Sequence, residues 1–284
     1  MTVPKDEATW TYLNRFIGYG PRHPRFVFLG LEERAHPGDE RENIDKRLGH
    51  TQIFGSDRGD KNAAHTLLYP ATDAECVPQW AIAAGLVKEI RQALGEDASG
   101  ATVGSLGTTD GDTFLGELLP VPRPGRPRAK KNGQHSNRPP SYPVSRFGFR
   151  GETAYHRAAL GRNPAGRENR DGTAETGRWQ ALRELVAGTD GQQRPEFVIC
   201  YGVTWRAVFD QLLGPWRMVE EDNSGGSRVR KIGLSKHGVV GAITGFFTAR
   251  ARPNSRDVTL TDCAAIAQQL CEFHRRGLAI PGGC

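Results

Sequence analysis

The chain has 284 residues, with 38 Lys and Arg against 32 Asp and Glu for a formal net charge of +6, and its mean hydropathy is −0.54. That length suits one large α/β domain or two small ones and can bury a sizeable core. No run approaches a membrane span, no basic N-terminal region precedes an apolar core, and the five cysteines lack C-x-x-C spacing. A membrane protein, a disulfide scaffold and a zinc ribbon are therefore not expected.

The expectation is a cytoplasmic protein with reduced thiols, forming a single domain over residues 1–284 with an embedded long loop. Much of the positive charge is arginine, whose planar fork suits phosphate, so a polyanionic partner is plausible beside the plainer reading of a basic protein without one. The 35 Gly and 18 Pro imply many turns.

Residues Ala8 to Gly20 set Trp10, Leu13, Phe16 and Ile17 on one face, which predicts a short helix closed by Gly18-Tyr19-Gly20. Pro21 to Pro24 then introduce a strand over Arg25 to Leu29. It empties at Gly30 into Leu31-Glu32-Glu33, and from Glu32 to about Lys61 the chain is charged and glycine-punctuated, with Ile44, Leu48 and Phe54 able to anchor a short helix. A connection this long is expected to be functional.

Gln79 to Leu94 has helical spacing with Gly95 as a stop. Phe114 to Leu119 is the second strand, ended by Pro120. Val121 to Arg150 then holds eight Arg or Lys, no Asp or Glu and many prolines, and reads as an extended or mobile basic arm without regular structure. Glu175 to Ala187 is a further amphipathic helix ended by Gly188. Glu196 to Gly202 is an almost continuous apolar run, as in a strand buried on both faces. Thr204 is placed to cap a helix over Trp205 to Leu213. Val239 to Thr248 is the fourth strand, and Thr261 to Arg276, ending at Gly277, the last helix.

Alternating strands and helices predict a mainly parallel sheet with helices on both sides. In such a sheet Glu32, Glu33, Glu117, Gly202, Arg252 and Asn254 share the rim at the carboxyl ends of the strands, where ligands bind.

The order of these motifs resembles the uracil-DNA glycosylase superfamily. Gly30-Leu-Glu-Glu33 occupies the slot of its first motif, Gly-x-Asp/Asn-Pro-Gly/Tyr. Glu117-Leu-Leu-Pro-Val-Pro-Arg-Pro124 looks like its base-reading Asn-Leu-Leu segment, Val198 to Gly202 like its third strand, and Arg252-Pro-Asn-Ser255 like its His-Pro-Ser. The resemblance implies a three-layer αβα domain around a short, mainly parallel four-stranded sheet. It also implies an enzyme that flips a base out of DNA and hydrolyses its N-glycosidic bond. No cofactor is expected: some branches hold an iron-sulfur cluster through four cysteines, and the five here are too scattered for one.

The resemblance assigns Glu32 to the attacking water and to the oxocarbenium-like sugar, with Glu33 as the alternative carrier. Arg252 stabilises charge on the departing base or else contacts phosphate. Gly30, Phe54, Glu117, Asn254 and Ser255 form the substrate pocket, Phe54 or Tyr69 supplying a stacking wall. Arg123, Arg126, Arg128, Lys130, Lys131 and Arg138 form a phosphate-tracking arm for duplex or single-stranded DNA.

The departures are informative. Glu32 stands for Asp or Asn, Glu33 for proline, Glu117 for the base-reading Asn and Arg252 for histidine. A carboxylate cannot copy an amide that both donates and accepts, so a base presenting donors suits Glu117 better than uracil does. A damaged or modified base is expected, possible settings being repair or defence against viral DNA. Two other readings stand beside this one. Glu32, Glu33, His36, Asp39 and Glu40 form an acidic cluster for a metal-dependent nuclease, or the fold persists as a DNA-binding module without catalysis. No obligate protein partner is inferred.

Overall fold

Three apolar runs lie side by side as strands at the centre of one sheet. They are β2 (Phe26–Gly30), β6 (Phe197–Tyr201) and β9 (Val240–Thr244), buried almost throughout. The computed structural model describes residues 7–31, 34–35, 78–120, 123–124, 147, 149, 152–161, 177–188, 193–222, 227–249 and 257–279. With β4 (Thr113–Glu117) added, the order β4-β2-β6-β9 is parallel throughout. Strands covered on both faces need apolar side chains on both, which is why these runs show no alternation.

The covering layers follow from which side each residue faces. Val27, Leu29, Val198, Cys200 and Ile243 point toward α1 (Glu7–Arg15), α3 (Glu152–Leu160), α4 (Gly177–Ala187) and α5 (Arg206–Leu213), all of which contribute to one buried cluster. Phe26, Phe28, Phe197, Ile199, Val240 and Ala242 point the other way, onto α2 (Pro78–Leu94) and α6 (Cys263–Leu278). Gly85 lets α6 approach α2, since a Cβ there would lie 3.2 Å from Cys263 Sγ. The Cys263 and Cys271 thiols donate to the Ile82 and Ile90 carbonyls, each at 3.7 Å, so the two helices run side by side in one direction.

The sheet is larger than the four parallel strands expected. It has seven strands in the order β1-β4-β2-β6-β9-β8-β7, with β1 (Gly18–Tyr19), β8 (Val229–Ser235) and β7 (Trp216–Glu221) all antiparallel to their neighbours. The edge strands escaped the sequence because their residues do not read as strand. β7 carries Arg217, Glu220 and Glu221, which suit an exposed edge that must resist pairing with other chains. Lys231 in β8 is buried, held by Asp210 at 2.5 Å and Glu221 at 2.7 Å. Trp216 lies across the paired glycines Gly233 and Gly241, where a Cβ would meet its ring at 2.8 Å and 3.0 Å.

Smaller expectations are corrected in the same way. Gly18 and Tyr19 do not close a helix but pair with Gly116 and Leu115; at φ 156° and 129° Gly18 and Gly20 stand against β4, where a Cβ at Gly18 would lie 2.2 Å from the Leu115 carbonyl oxygen. Thr204 caps nothing; it lies inside a 3-10 turn, Val203–Trp205, and the residue before α5 makes no side-chain capping bond. α6 continues through Gly277 to Leu278. The expected basic arm has structured ends. Arg123–Pro124 form β5, parallel to β3 (Arg34–Ala35), and Phe147 and Phe149 are buried against Trp10 at ring separations of 5.7 Å and 4.8 Å. Among the described residues no helix is long and apolar enough to cross a membrane.

Candidate functional site

Because the four central strands are parallel, their carboxyl ends share one rim. Gly30 lies opposite Glu117 in register, and Tyr201 opposite Thr244. The β2–β4 pairing runs past both strands, with the Leu118 N–H donating to the Gly30 carbonyl at 2.9 Å and the Leu119 N–H to the Leu31 carbonyl at 2.8 Å. On the other side the Glu117 N–H donates to the Ile17 carbonyl at 3.0 Å. The backbone that carries Glu117 is thus fastened on both flanks.

Three strand ends meet above Gly30. A Cβ at that position would lie 2.6 Å from the Tyr201 hydroxyl oxygen and 2.8 Å from Glu117 Oε2. Glycine is required here for close approach, not for a turn. The carboxylate of Glu117 and the phenol of Tyr201 therefore face the same small space, the Oε2 atom inaccessible to solvent. Tyr201 stacks on Phe247, which follows β9, at 4.4 Å between centroids and 13° between planes. Burial pushes the Tyr201 hydroxyl well above its usual range, and the nearby Glu117 and Cys200 push it further. It stays a neutral phenol at physiological pH, able to donate or accept.

A buried guanidinium holds this rim from beneath. Arg178, in the first turn of α4, is fully buried and donates from Nε to the Leu118 carbonyl at 2.9 Å and from Nη2 to the Glu117 carbonyl. Its Nη1 donates to the carbonyls of Phe16 at 2.6 Å, Leu13 at 3.3 Å and Asn14 at 3.4 Å, at the end of α1. A cation at that helix terminus also complements the helix dipole. One side chain thus ties the exit of β4 to the end of α1.

Of the residues singled out in the sequence, Gly30 and Glu117 are brought together here. Arg123 lies in β5, its main chain paired with Arg34. Glu32, Glu33, Phe54, Tyr69, Arg252, Asn254, Ser255, Arg126, Arg128, Lys130, Lys131, Arg138 and the acidic cluster's His36, Asp39 and Glu40 lie outside the described residues. Sequence reasoning passed over Tyr201 and Arg178 as site residues. A tyrosine just before the glycine that ends a strand was the available signal for the first. A charged residue beside Trp179, on a helix whose other apolar residues are buried, was the signal for the second.

The arrangement offers a carboxylate acceptor and a neutral phenol over an aromatic stack. It can hydrogen-bond the edge of a planar polar group at the sheet rim. Comparison of the chain with protein-family models, with curated proteins and with solved structures finds no match.

Proposed function

We propose that this protein is a DNA glycosylase of the uracil-DNA glycosylase type, removing a damaged or modified base by hydrolysis and leaving an abasic site. The observation that carries the reading is the meeting of Glu117 with Gly30 at the carboxyl rim of a parallel four-strand core. Those two positions come from separate motifs of the resemblance, and the central order β4-β2-β6-β9 allows the third and fourth motifs to follow along the same rim.

In this reading Glu117 accepts from an N–H donor on the flipped base, and the neutral Tyr201 phenol stands beside it. Glu32, or Glu33 one position on, orients the attacking water and stabilises the positive sugar. Arg252 takes the negative charge that develops on the leaving base. The basic residues from Arg123 to Arg138 hold the strand.

The test is an abasic-site assay on DNAs of differing base modification, with mass spectrometry of the released base. Glu32→Gln should abolish release while leaving DNA affinity intact. Glu117→Gln should lower release of the preferred base about 10-fold, since a neutral amide oxygen accepts from the N–H more weakly than the charged carboxylate does. Binding of DNA without alkali-labile sites would instead identify a non-catalytic module. Cutting without alkali that stops with chelator would identify a nuclease.

A further inference from the structure

The tyrosine that ends β6 reaches the rim through its hydroxyl. A Cβ on Gly30 would lie 2.6 Å from that oxygen and 2.8 Å from Glu117 Oε2, so the two oxygens border one point above the glycine. The ring has little freedom there, being stacked on Phe247 at 4.4 Å and met edge-on by Phe246 at 6.3 Å. Its main chain is set by β9, where Tyr201 pairs with Thr244. A phenol held in its plane keeps its oxygen on a fixed axis, and only the O–H rotor turns.

Carboxylate and phenol are close without being bonded to each other. Among the described residues nothing donates to the Tyr201 hydroxyl or accepts from it. Both residues are partly open to solvent, although Glu117 Oε2 is not. The phenol keeps its proton, since burial and the adjacent Glu117 both oppose its ionisation. The rim thus sets a group that only accepts beside one with a proton to give.

The complement of such a pair is an edge with an N–H donor beside an acceptor. In an oxo-pyrimidine the ring N–H lies between two carbonyls, and one of them would face the carboxylate charge. In a 4-aminopyrimidine the amino group has a ring nitrogen on one side and a C–H on the other, so no second acceptor meets the carboxylate. We propose that Tyr201 is a specificity-determining residue whose hydroxyl donates to the ring nitrogen of a 4-aminopyrimidine, cytosine or a derivative of it, while Glu117 accepts from the amino group. The proposal rests on the rim being the seat of a flipped base.

Titration of the full chain with 5-fluorocytosine and with 5-fluorouracil, followed by fluorine NMR, tests it without any cleavage. 5-Fluorocytosine should bind about 10-fold more tightly, and Tyr201→Phe, which keeps the ring stack, should weaken its binding about 10-fold. 3-Deazacytosine, with a C–H in place of the ring nitrogen, should compete weakly and equally well for wild type and variant. A hydroxyl that only propped Glu117 would instead make Tyr201→Phe lower the affinity for cytosine and 3-deazacytosine alike, and that result overturns the proposal. So does a preference for 5-fluorouracil, or failure of the wild type to bind either base. Discrimination that depends on Tyr201 in a protein releasing no base from DNA keeps the pairing and rejects the glycosylase reading. Base release from DNA that Tyr201→Phe leaves unchanged does the reverse.

Discussion

Arg178 and Glu117 are joined through the main chain, the buried guanidinium donating to the Glu117 carbonyl while the Glu117 side chain turns the other way, over Gly30. The same guanidinium reaches the carbonyls of Leu118 and of the end of α1. Five carbonyls thus depend on one side chain, and α1, α4 and β4 cannot shift independently.

Removing that guanidinium should be severe. Arg178→Met leaves buried carbonyls unsatisfied at roughly 1–3 kcal/mol each, partly offset by removal of a buried charge, so a net loss of about 3 kcal/mol is expected. Arg178→Lys should lose less, since one ammonium reaches some of the acceptors but cannot span all of them. Urea midpoints at constant slope measure both.

Gly30→Ala should destabilise by about 1–3 kcal/mol, because the new methyl overlaps the Tyr201 hydroxyl and Glu117 Oε2. Tyr201→Phe removes the nearest atom, so Gly30→Ala in that background should cost less than in the wild type. A double-mutant cycle reads the difference, and strict additivity would mean the three groups do not share the space.

Lys231 gives a pH-dependent contribution. Burial pulls its ammonium down, and hydrogen bonds to Asp210 and Glu221 outweigh that and leave it raised above its ordinary value. Its stabilisation is therefore fully present below the unfolded-state value of about 10.4 and fades as pH rises through the higher folded value. Lys231→Met should cost about 1–2 kcal/mol at pH 7, modest because both carboxylates are partly exposed. The gap between wild type and variant should close only above about pH 10, as followed by denaturation across a pH series.

Cys200, Cys263 and Cys271 should resist alkylation in the native protein. All three are buried and free, and burial pushes each thiol up, Cys263 to about 12. Thiolate, the reactive form, is scarce at neutral pH. Maleimide labelling at pH 7.5 followed by peptide mapping should leave these three unmodified until denaturant is added.

What the sequence made legible was the apolar centre. Phe26 to Leu29, Phe197 to Cys200 and Val240 to Ile243 must be shielded on both faces, and that requirement is written in their composition. Helices α2 and α6 were legible for a similar reason, since Ile82, Leu86, Ile90 and Ile266, Leu270, Phe273 recur at helical spacing. β7 and β8 were not, because Lys231 is stabilised by Asp210 and Glu221, partners distant in the chain that no local pattern announces. At the site, Glu117 could be found at a strand end, but Tyr201 acquires its role only by lying over Gly30. Arg178 acquires its role from carbonyls of two other elements. These are facts of packing between segments, which periodicity does not carry.

The ladder between β2 and β4 outlasts the strands themselves, through the bonds from Leu118 to Gly30 and from Leu119 to Leu31. The side chain at 117 can therefore be exchanged on an anchored frame, so the chemistry at this point of the rim can be changed without re-engineering the scaffold below it.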